Sequence, residues 1–132
     1  MFDVFKELAT DPSKELNGTW FDIGQGARIL VARSSNRAYA KALTKAVELN
    51  RELLAGEDEA AVAKNDSIMI ELFSTTILLG FEGISFKGEA MAYSVANAAL
   101  LLAVADFRAL VARKSNEFDA YRVTQDAAQG KA

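Results

Sequence analysis

Four cations stand at regular spacing near the front of the chain: Arg33, Arg37, Lys41 and Lys45. On a helix, residues four apart fall on a slowly winding line along one side. Like charges at that spacing repel by a few tenths of a kcal/mol (~0.2–0.5) per pair. Such a row is either a solvated face or a docking strip for an acidic partner. No aromatic side chains are interleaved with it, so it lacks the stacking platforms of a single-strand nucleic-acid groove. Catalytic groups are scarcer. The chain has no His and no Cys, which removes imidazole acid–base chemistry, thiolate nucleophiles, disulfides and the common zinc sites. The adjacent carboxylates Asp58/Glu59 and Glu117/Asp119 sit among helix-surface residues, where solvated charge is their expected role. Lys114-Ser115 is too common a pair to imply a nucleophile. No acidic cluster has the alternating spacing of a calcium loop. Gly24-Gln25-Gly26 lacks the rest of a GxGxxG or GKS/T phosphate loop and reads as a plain turn. No cofactor is expected, and the residues point to binding rather than to an enzyme.

These residues must be positioned by a chain of 132 residues, 51% of them hydrophobic. That length predicts one domain with a sizeable core. The net charge of −3 argues against general attraction to nucleic acid or to an anionic membrane. The first residues lack the basic region of a signal peptide. The apolar run near Ile77–Leu79 is too short, and too interrupted by Glu71, Ser74, Thr75 and Thr76, to span a bilayer. A cytoplasmic protein is expected.

Along the chain, Phe2, Phe5 and Leu8 predict a short amphipathic helix over residues 1–9, stopped at Asp11-Pro12-Ser13. Asn17-Gly18 reads as a turn. Residues 19–23 and 27–32 are branched and aromatic and predict a β-hairpin closed by Gly24-Gln25-Gly26. Ser34 or Ser35 is expected to cap a helix from Asn36 to about Leu54. Its buried stripe is Tyr39, Leu43, Val47 and Leu54 with Ala42 and Ala46, and Gly56 ends it. Glu57-Asp58-Glu59 opens the next helix, which runs to Leu79 or restarts at Asp66/Ser67. The side chains from Ile68 to Leu79 are apolar nearly all round, as in a helix central to a core. Gly80, Gly83 and Gly88 then mark a turn-rich loop clasped by Phe81 and Phe86. Ser94 is a good N-cap for a last long helix, with a restart or kink at Asp106 and a stripe through Phe107, Leu110, Val111, Phe118 and Tyr121. Residues 124–132 read as a flexible tail. The expected fold is mainly α (α+β): a compact helical domain over residues 1–123, about four to five helices, with one small β-hairpin at about 19–32.

The glycine-rich loop resembles the signature of the tail assembly chaperones of long-tailed, siphovirus-type bacteriophages. In that family a Gly-aromatic pair ends a helix, a glycine-bearing loop follows, and Tyr-Ser/Thr leads into an Asn-containing, Leu-rich helix. The corresponding residues are Gly80-Phe81, Gly83, Gly88, Tyr93-Ser94, Asn97 and Leu100-Leu101. A hairpin feeding Arg33, Asn36 and Tyr39 is similar to the front half of the same proteins. The resemblance implies a chaperone that binds the tape-measure protein, helps recruit tail-tube protein, and works in the host cytoplasm without entering the mature virion. It also implies a longer product made by ribosomal frameshifting near the end of the frame, for which Gln129-Gly130-Lys131 can encode a slippery heptamer. Exposed helical faces would suit a homo-oligomer. The competing readings are a structural tail or neck adaptor of the virion, a small helical regulator, and an enzyme with an unusual carboxylate site.

Overall fold

The computed structural model describes residues 1–123. The reading of 124–132 as a tail, and the heptamer at Gln129–Lys131, lie outside the described residues.

The first helix, α1 (Val4–Leu8), is capped by Asp3, whose carboxylate accepts from the Lys6 N–H. A second helix follows at once. Pro12 does not end helical structure here; it opens α2 (Pro12–Asn17), with Asp11 as cap. Proline suits a first helical position because its missing N–H would have no partner there. The expected hairpin is present as β1 (Thr19–Gly24) and β2 (Ala27–Val31), antiparallel, with positive φ at Gly24, Gln25 and Gly26.

Helix α3 (Arg37–Leu49) is followed by the short α4 (Arg51–Leu54) and then by α5 (Glu59–Thr76), capped by Asp58. Helix α5 runs unbroken through Asp66 and Ser67. It stops earlier than expected, because the chain changes to strand after Ile77. β3 (Leu78–Glu82) pairs antiparallel with β2, so the sheet has the order β1-β2-β3. The continuous apolar run of Ile77–Phe81 is compatible with a helix or a buried strand, and pairing with β2 decides between them. The expected loop is thus a strand followed by a two-stranded clip, β4 (Ser85–Phe86) with β5 (Glu89–Ala90). Register places Phe21, Ile29 and Phe81 side by side on the inner face of the sheet. Trp20, Leu30 and Gly80 lie side by side on the outer face.

Ser94 caps α6 (Val95–Leu102), its hydroxyl accepting from the Asn97 N–H at 3.0 Å. The chain then bends by 109° into α7 (Ala105–Ser115), close to the expected kink at Asp106. The last described helix is α8 (Phe118–Tyr121). The helical content among the described residues is therefore split into eight segments, several of them a single turn. No single described helix is long and apolar enough to cross a membrane. Ile29, Val31, Ile77, Leu78, Leu102, Val111 and Tyr121 form the fully buried centre, between the sheet's inner face and helices α5, α6 and α7.

Candidate partner-binding surface

The row of cations is divided by the structure. Arg33 precedes α3 rather than lying on it. Its backbone is part of a junction: Ala32 N–H donates to Ile77 O, Arg33 N–H to Glu15 O, and Ser34 N–H to Ser115 O. The Arg33 guanidinium lies 3.8 Å from the Glu15 carboxylate and 5.7 Å from the centres of both the Phe118 and Tyr121 rings. It is thus held against the protein by charge and by aromatic faces. Arg37, Lys41 and Lys45 do share the exposed side of α3. None of the three makes an ion pair among the described residues.

Asn36 sets the start of that row. Its Oδ1 accepts from Tyr39 N–H at 2.9 Å, and its Nδ2 donates to Arg33 O and Thr76 O at 2.7 and 3.2 Å. The expected cap was Ser34 or Ser35. The Ser34 hydroxyl is instead committed to Asn116 Oδ1 at 2.7 Å, which ties the strand exit to the end of α7. Helix α3 then packs through Tyr39, whose ring meets Phe73 of α5 edge-on at 6.0 Å. Burial raises the Tyr39 phenol above its ordinary pKa. The predicted stripe is only partly covered. No residue of α3 is fully buried, and Val47 is exposed.

Two hollows flank α3. One, of about 780 Å³, lies between α2 and the first turn of α3; Pro12, Leu16 and Ala38 supply apolar walls and Arg37 and Lys41 the cationic lip. The other lies between α3 and α5 and carries Lys45, Lys64 and Leu49. Apolar side chains are also exposed outside the hollows. Phe2, Val4, Phe5 and Leu8 around α1 are 69, 65, 72 and 50% exposed, and Leu49 on α3 is 75% exposed. Of the expected face Phe2/Phe5/Leu8, only Phe5 and Leu8 lie on α1, since Phe2 precedes it, and none of the three is buried among the described residues. The wall contributed by α2 was missed in the sequence, although Asp-Pro at a cap and first helical position was the available signal.

The glycine-rich region serves a structural purpose. Phe81 is buried, with the Tyr93 ring edge-on at 5.4 Å, and the Tyr93 hydroxyl donates to Leu78 O. Gly83 lets the chain pass the hairpin turn: a Cβ there would sit 2.5 Å from Gly26 O. The carboxylate pairs lie at a helix start and on the surface. Asp58 caps α5, and the carboxylates of Glu117 and Asp119 face Lys114 and Arg122 on the surface.

A family model described as YdaY prophage protein matches residues 34–132, from just before α3 onward. No curated protein and no solved structure matches the chain.

Proposed function

The chain belongs to the YdaY prophage protein family, and from that premise we propose that this phage-derived protein is a tail assembly chaperone that binds the tape-measure protein. One observation carries the reading. Val47 and Leu49 are exposed on the same helix as Arg37, Lys41 and Lys45, which make no ion pair among the described residues. Large uncovered apolar patches mark interaction surfaces. A tape measure is a long helix whose apolar face would aggregate unless covered, and helix-in-groove docking is the mode such a face uses. The resemblance of Gly80-Phe81, Gly83, Gly88 and Tyr93-Ser94 to tail assembly chaperones supports the same reading.

In this proposal the exposed apolar side chains of α3 cover the tape-measure helix, and Arg37, Lys41 and Lys45 engage its acidic flank, with Arg33 behind them. The protein also helps recruit tail-tube subunits. It acts in the host cytoplasm, is absent from the finished virion, and needs no catalytic group, cofactor, nucleic acid or membrane. A longer frameshifted product is made at the codons of Gln129–Lys131; a gene using GGC or GGT for Gly130 would refute that placement.

The test is co-expression with the tape-measure protein encoded nearby, followed by a tagged pull-down. The expected result is soluble co-purification of a tape measure that is insoluble alone. Reversal of Arg37, Lys41 and Lys45 to Glu should abolish it. No association, with this chain found in purified particles, would make it a structural tail or neck adaptor instead.

A further inference from the structure

Helix α1 is five residues long and buries none of them. Isolated helices shorter than about 12–15 residues are marginal in water, so α1 needs a surface to lie on. Among the described residues none covers it enough to bury a side chain. The linker Ala9–Asp11 is pinned to the other end of the protein: Asp11 N–H donates to Tyr121 O at 2.7 Å and Val123 N–H to Ala9 O at 3.1 Å. Held there, α1 contributes no residue to the hollow between α2 and α3.

The face of α1 and that hollow match in order. At 100° per residue, Val4 and Leu8 form the ridge of α1, with Phe5 on one flank and Glu7 on the other. The hollow has an apolar wall on α2, from Pro12 and Leu16, and a cationic wall on α3, from Arg37 and Lys41. Glu7, Arg37 and Lys41 make no ion pair among the described residues. The one carboxylate in the hollow, Glu15, is already engaged by Arg33 and by the Thr10 hydroxyl.

We propose that α1 of one copy docks in the α2–α3 hollow of a second copy. Val4 and Leu8 enter the hollow, Phe5 packs on Pro12 and Leu16, and Glu7 meets Arg37 and Lys41. Exchange of the two arms gives a closed two-fold dimer, and one-way docking gives an open chain of copies. The occupant is a second copy because the acid and the two bases that select it are both on this chain. The contact does not depend on the tail-assembly reading, since it forms in the purified protein alone.

The experiment is analytical ultracentrifugation of the full chain over a range of concentrations, with helical content checked by circular dichroism. The native chain is expected to self-associate. Val4→Ser with Leu8→Ser should return it to a single chain without loss of helix, because neither side chain is buried. Lys41→Glu should weaken association by about tenfold or more, since like charges then face one another. Adding Glu7→Lys to Lys41→Glu should restore most of the loss, which a merely structural role for either residue would not do. A native chain that stays single at its highest soluble concentration overturns the proposal. So does an assembly indifferent to Val4 and Leu8, or a reversal that Glu7→Lys fails to rescue. A single native chain whose tape-measure binding is lost with Val4 and Leu8 assigns α1 to that partner instead, and equally overturns it.

Discussion

At Tyr121 the hydroxyl donates to Val31 O at 2.7 Å from a fully buried ring, which also leans on Phe21 at 6.2 Å. Tyr121→Phe keeps the ring and loses only the bond. Urea unfolding should show a loss of about 1 kcal/mol, the usual net worth of a hydrogen bond. Burial drives the Tyr121 pKa well above the ordinary 10.0, with the Arg33 charge opposing. The unfolded chain therefore releases this proton at lower pH than the folded one. The tyrosine contribution to stability is intact below about pH 10 and declines as pH rises above it. Unfolding followed between about pH 9 and 11 should show that decline. It should be shallower in Tyr121→Phe, but present, because burial also raises Tyr39 and Tyr93.

Among the elements, the β1–β2 turn and the strand end that crosses it are the tightest fit. Gly83 has φ +71 and no room for a Cβ beside Gly26 O, whereas Gly24 has φ +94 and nothing within 4 Å. Gly83→Ala should cost about 2 kcal/mol or more, from a strained backbone plus a clash, and Gly24→Ala only the strain. Denaturation midpoints of the two variants, side by side, check the order. The hairpin, the Ser94 cap and the break before α7 were legible because each rests on local chemistry. β3 was not, since helical periodicity continues up to Thr76 and only pairing with β2, about fifty residues earlier, makes Leu78–Glu82 a strand. The cation row was legible on α3 as Arg37, Lys41 and Lys45. Its fourth member was not separable in sequence, because Arg33 is drawn out of line by Glu15 and by the rings of Phe118 and Tyr121. The hollow itself was illegible: its α2 wall comes from a segment read as a stop and a turn.

For the molecule as a whole, stability and surface chemistry separate. Arg37, Lys41 and Lys45 are exposed and make no ion pair among the described residues, so reversing all three should change unfolding free energy by no more than about 0.5 kcal/mol per site. A large loss of stability would instead place them in the folded framework. The opposite ends of the chain are bound together far more firmly, through Thr10 paired with Arg122, Lys14 Nζ on Arg122 O, and Thr19 Oγ1 on Ala120 O. That clasp governs the order of events at the ribosome. The Val31 carbonyl and the Tyr121 hydroxyl are 90 residues apart, so at bacterial synthesis rates of about 5–20 residues per second the hairpin waits roughly 5–18 s for its last partner. During that interval β3, α5 and α6 can come to lie against Phe21, Ile29 and Val31, but Tyr121 cannot. The clasp can close only after Tyr121 has been made, so a chain halted within α7 holds a sheet whose Val31 carbonyl and Phe21 ring lack that partner.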